Sequence, residues 1–75
     1  MADESRVRKT VDILAEEVRV GRARRRWSQE ELAKRAGVHF AQVSSIENAR
    51  LDSRLSTVDK VTGALGLTIT FNDAA

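Results

Sequence analysis

Five arginines, Arg19, Arg22, Arg24, Arg25 and Arg26, fall within eight residues, and Ser28, Gln29, Glu30 and Glu31 follow close behind. Clustered guanidinium groups can supply affinity for phosphate. The same cations also suit the solvated C-terminal end of a helix, where the macrodipole favours them. The residues alone leave both readings open. Further on, His39, Phe40, Ala41, Gln42, Ser44, Ser45, Asn48 and Arg50 crowd into one short stretch rich in hydrogen-bonding groups. None of this is catalytic chemistry. No nucleophile stands beside a base, the single histidine has no second ligand of its kind, and there is no cysteine or phosphate-cradling glycine loop. The chain is therefore expected to be no enzyme and to use no metal or cofactor. So small a core also argues against a small-molecule effector.

These side chains need elements to hold them. From about Arg6 to Arg25, Val7, Val11, Leu14 and Val18 recur at helical spacing and predict one apolar stripe on a long first helix. Ile13 and Val20 lie off that stripe. Ser28 predicts the cap of a second helix, with Glu31 completing a capping box, and Gly37 ends it by taking positive φ. A third helix is predicted over Phe40 to Glu47. After a polar loop, residues 51–54, a fourth is predicted over Leu55 to Leu65, on the stripe Leu55, Val58, Val61 and Leu65. Ser53 and Ser56 are both available as its cap, and Gly66 stops it.

The second and third helices meet across a short turn, which demands small side chains at the contact and an unusual backbone angle. Ala33 and Gly37 meet those demands, while Val43 and Ile46 return the third helix to a core sealed by Leu32 and Val38. This is the layout of a DNA-reading helix-turn-helix. With Gln29 as the first position, Ala33, Gly37, Val43 and Ile46 occupy the fifth, ninth, fifteenth and eighteenth. Over about residues 11 to 66 the pattern resembles the lambda-repressor/Cro-like, or XRE, family.

That resemblance implies roles for particular residues. Gln29 would bind a phosphate, with neighbouring backbone N–H groups pointing the same way. Arg22 would pair with Glu47, tying the first helix to the recognition helix. The base-reading positions fall on Phe40, Ala41 and Ser45, with Gln42 and Ser44 beside them, His39 at the N-cap, and Asn48 and Arg50 at the phosphate backbone. Here the chain departs from the family pattern. Phe40 and Ala41 cannot make bidentate hydrogen bonds, although they can touch thymine methyl groups. Gln42 can pair with adenine if it faces the groove, and His39 can reach a guanine or a phosphate. Phe40 can equally be a staple packed on the second helix.

Beyond Gly66 the period changes, and Leu67-Thr68-Ile69-Thr70-Phe71 alternates apolar and polar residues of strand-favouring type. A lone strand gains nothing without a partner. The cheapest partner is the same segment of a second copy, paired about a two-fold axis near Ile69. Leu67, Ile69 and Phe71 would then cover the ends of both fourth helices, with Thr68 and Thr70 facing water. Together with Trp27-Ser28-Gln29, Leu55-Ser56-Thr57-Val58 and Leu65-Gly66-Leu67-Thr68-Ile69-Thr70-Phe71-Asn72, this strand is similar to HipB-type antitoxins. In that group it completes a two-stranded sheet in a dimer that binds operator DNA and a kinase toxin.

Seventy-five residues with net charge +2 bound the rest. They make one domain, near the lower limit for a self-sufficient core. No apolar stretch behind a basic start suggests a secretory signal, and no apolar run is long enough to span a bilayer. The expected protein is cytoplasmic and all-α. It is a four- to five-helix lambda-repressor-like bundle with a C-terminal β-strand pairing across a homodimer. Residues 1–5 are expected to be disordered, 6–66 to form the helix-turn-helix domain, 67–72 the dimerisation strand and 73–75 a tail. Its expected partners are double-stranded operator DNA, a second copy, and a toxin, either a HipA-like kinase or another. An ordinary repressor without a toxin, or a protein-binding module that has lost specific DNA reading, are the alternatives.

Overall fold

The computed structural model describes residues 4–50 and 53–72. Among the described residues four helices follow one another: α1 (Glu4–Arg24), α2 (Gln29–Ala36), α3 (Phe40–Glu47) and α4 (Leu55–Ala64). Residues 1–3, 51–52 and 73–75 lie outside the described residues, so the expected tail and half of the α3–α4 loop do too. Glu4 and Ser5, expected to be disordered, belong to α1.

Local chemistry accounts for the helix ends. Ser28 sits in extended backbone and its Oγ accepts from the Glu31 N–H at 3.0 Å. Only this half of the expected capping box forms. The Glu31 carboxylate instead accepts from Arg35 Nε at 2.7 Å, one turn along the exposed face. Gly37 closes α2 at φ 71°, and the Val38 N–H reaches back to the Ala33 carbonyl at 3.0 Å. Helix α4 begins behind Arg54 with no side-chain cap, so neither Ser53 nor Ser56 fills that role.

Val18, Leu32, Ala33, Val43, Ile46, Val58, Val61 and Leu65 form one buried cluster drawn from all four helices and the residue just past α4. Gly21 lets α1 approach it closely, since a Cβ there would lie 3.3 Å from Leu65 Cδ1. Three stripe residues neither join the cluster nor pack against it: Val7 is 45% exposed, Val11 half-buried and Leu55 71% exposed. Length explains the first. Helix α1 runs for about 30 Å, while α2 and α3 are each about 12 Å long, so its opening turns reach beyond the buried cluster formed by the described residues. Leu55 opens α4, before the stripe turns inward.

The predicted strand is not formed within this chain. Residues 67–72 belong to no helix or ladder, although Leu67 and Ile69 are half-buried against the core while Thr68 and Thr70 are exposed. The alternation is real, but a ladder needs a second segment, and among the described residues none offers one. Phe71, predicted to share the covered face, is 86% exposed.

Candidate nucleic-acid interface

Helix α3 is buried on one side and open on the other. Val43, Ile46 and Glu47 are buried; Phe40, Ala41 and Asn48 are exposed, with Ser44 and Ser45 between them. At 100° per residue the exposed and half-exposed positions form one continuous outward strip.

The inward side is held by charge as well as by packing. The Arg22 guanidinium donates twice to Glu47, Nε to Oε2 at 2.7 Å and Nη2 to Oε1 at 2.9 Å, while its Nη1 donates to the Trp27 carbonyl at 2.9 Å. Gln29 Nε2 adds a third hydrogen bond to Glu47 Oε1 at 3.0 Å. Glu47 is only 4% exposed. Burial by itself pushes its carboxyl upward. The hydrogen bonds from Arg22 and Gln29 and the charges of Arg22 and Arg19 outweigh that, holding it below the ordinary carboxylate value. The Glu47 hydrogen bond likewise raises Arg22 against the opposing effect of burial. One carboxylate thus joins α1, the start of α2 and the end of α3.

Two further arginines of α1 hold the end of α3 by its carbonyls. Arg19 Nη1 donates to the Glu47 carbonyl at 2.7 Å, and Arg8 Nη1 to that of Ala49 at 2.8 Å. The arginine cluster is therefore largely structural. Arg19 also pairs with Glu16, and Arg25 donates to the Gly21 carbonyl and lies over the Trp27 ring, with Arg35 on the same indole at 4.3 Å. Arg24 and Arg26 remain exposed. The Arg8 contact, 41 residues away in sequence, had no local signal; Arg19 lies one turn before Arg22 and shares its face.

Beside the expected base-reading positions, Gln42 is turned to the fold. Its Oε1 accepts from the His39 N–H at 2.9 Å, and its Nε2 donates to Thr57 Oγ1 at 3.4 Å. The signal was present: Gln42 is the third residue of α3, the position from which a glutamine reaches back to the N-cap backbone. His39 is that N-cap and is exposed. Ser44 Oγ accepts from Asn48 Nδ2 at 3.2 Å, and Arg50 is exposed beyond the helix. Ala41, Gln42 and Ser45 line a shallow pocket with Ser53, Arg54 and Thr57, which sequence reasoning had not placed at this face.

Ala49 is held at φ 58°, a left-handed conformation that an L-residue adopts at a cost of about 1 kcal/mol. Ala49→Gly is therefore expected to stabilise the chain by up to about 1 kcal/mol, raising Tm by several degrees (~4–8 °C per kcal/mol) in a thermal melt. An unchanged or lowered Tm would show that this turn carries no strain.

The helix-turn-helix family model matches residues 14–72. The chain belongs to this family, in its XRE-type branch. Among relatives of this helix-turn-helix chain, "Antitoxin HipB" of Escherichia coli strain K12 is 36% identical over 61 residues, which cover 81% of this chain and 69% of the relative. A "Neisseria hypothetical transcription factor" of Neisseria meningitidis serogroup B is 40% identical over 55 residues. That match covers 73% of this chain, which spans only 52% of that relative's length. Among solved structures, a chain of the HipA-HipB-O2-O3 complex superposes with a TM-score of 0.76 at 32% identity, covering 87% of this chain and 92% of that one. Among the described residues no helix is long and apolar enough to cross a membrane.

Proposed function

We propose that this chain acts as a homodimeric repressor that binds a palindromic operator and, as an antitoxin, also binds a partner toxin, a HipA-like kinase or another. One observation carries the DNA reading: α3 is fastened to α1 and α2 through Glu47 and leaves Phe40, Ala41, Ser44, Ser45 and Asn48 facing outward. Gln29 spends one amide hydrogen on Glu47 and keeps the other for a phosphate. Asn48, Arg50 and the N-cap His39 flank the same strip, and Arg54 extends the basic surface. The relative named as antitoxin HipB and the HipA-HipB complex support the toxin arm.

The dimer is assigned to residues 67–72, with residues 6–66 as the DNA-binding domain, 1–5 before it and 73–75 as a tail. Leu67 and Ile69 already rest on the core, so a second copy laid along this segment would complete its hydrogen bonds and cover Phe71. Two recognition helices about 34 Å apart would then read two half-sites.

Sedimentation combined with duplex binding tests this. The wild-type chain is expected to sediment as a dimer and to bind a palindromic duplex with affinity falling steeply in salt. Ile69→Lys should be monomeric and bind that duplex at least ten-fold more weakly. Phe71→Lys, at a side chain that touches little of its own chain, should do the same without disturbing the core. Variants that remain dimeric refute strand pairing, and a wild-type chain that binds no duplex refutes the DNA reading. The second reading is a repressor without a toxin, with which a relative named only as a transcription factor is compatible. A kinase-like reading frame adjoining the gene would support the toxin arm, and a lone gene the plain repressor.

A further inference from the structure

Recognition helices of this docking type present their N-terminal residues to base edges. In this chain the first two residues of α3 offer no side-chain hydrogen-bonding group at all, and the third has its amide oxygen and one amide hydrogen committed to the fold. The first two are Phe40, 49% exposed, and Ala41, exposed. The next residue, Gln42, has its amide oxygen on the His39 N–H and its nitrogen on Thr57. One turn further, Ser44 Oγ is engaged by Asn48. The leading edge of α3 is thus an apolar surface. The polar groups of the strip lie behind it at Ser45 and Asn48, or at its entrance at His39.

In the major groove the apolar group available for such a surface to touch is the C5-methyl of thymine. The same methyl, on the same ring carbon, is present in 5-methylcytosine, whose hydrogen-bonding pattern is that of cytosine. We propose that Phe40 and Ala41 select operator positions by the C5-methyl group itself, so that 5-methylcytosine paired with guanine can stand in for thymine paired with adenine. This deepens the DNA reading above and rests on it. It assigns base discrimination to methyl contact rather than to a side-chain amide.

The test selects preferred half-sites from a random duplex pool with the full chain. Each selected thymine is then replaced in turn by deoxyuridine, deoxycytidine or 5-methyldeoxycytidine, with the matching partner base. At one or more positions thymine and 5-methylcytosine should bind alike, and uracil and cytosine about four-fold more weakly for each methyl lost. Phe40→Ala, at a side chain outside the buried core, should flatten that difference at the positions Phe40 touches. Half-sites in which uracil equals thymine at every position would overturn the proposal. So would 5-methylcytosine binding no better than cytosine, or a Phe40→Ala variant that keeps the full difference. A chain that enriches no duplex at all removes the DNA reading first, a result distinct from methyl-blind binding.

Discussion

Arg22→Met is expected to lower the unfolding free energy by about 3 kcal/mol, the lower end for removing one partner of a buried ion pair. Methionine keeps the apolar stem of the arginine but deletes the fork that Glu47 accepts at 2.7 and 2.9 Å. The carboxylate, 4% exposed, would then have the Gln29 amide as its remaining side-chain partner. The loss is a large part of the total stability of a chain this size, on the order of 4–11 kcal/mol.

Acid should change the size of this effect, in a direction set by Glu47. Its carboxyl is held below its ordinary value in the fold, so the unfolded chain takes up its proton first. The stabilisation is therefore complete above the ordinary carboxylate range, about pH 4.3, and disappears as the pH falls through the lower folded value. Without Arg22, burial is opposed only by the Gln29 hydrogen bond and the Arg19 charge, so the carboxyl is held down less and acid weakens the variant less than the wild type. Urea denaturation at pH 7 and near pH 3 should show a gap of about 3 kcal/mol that narrows markedly in acid. An equal gap at both pH values, or none at pH 7, would show that the pair does not hold α3 in place.

Ile46→Ala should be comparably damaging for a different reason. Ile46 is 1% exposed and anchors the last turn of α3 in the cluster that holds Leu32, Val43 and Val61. Truncation removes three carbons from water-free surroundings and leaves a cavity that eight-residue helices can only partly close, for an expected loss of about 3 kcal/mol. Ile13→Ala deletes the same atoms where the side chain is 55% exposed and should shift stability by no more than about 0.5 kcal/mol. Chemical denaturation of the two variants side by side makes the comparison. Similar losses would mean that Ile13 is covered in solution by another surface.

Residue types and spacings determined the frame. Ser28, Ala33, Gly37, Val43 and Ile46 specify two short helices crossing at a tight turn, because caps, small contacts and positive φ are local requirements that few residues meet. The Arg22–Glu47 pair followed from family resemblance at those positions and is present with both hydrogen bonds. The stripe Val58, Val61 and Leu65 likewise found the core. Other features depended on contacts between segments far apart in the chain. The arginine cluster suited a phosphate surface and a solvated helix end equally, and tertiary contacts turn Arg19 to the Glu47 carbonyl and Arg25 to Trp27. Gln42 looked available for adenine until its amide was found on His39 and Thr57.

By itself, then, the sequence determined that this protein is a helix-turn-helix bundle, since periodicity and turn chemistry are written residue by residue. Only the tertiary structure decided which polar side chains remain outside. A guanidinium or an amide has donors for either the fold or a ligand, and which one it meets depends on neighbours that spacing does not reveal.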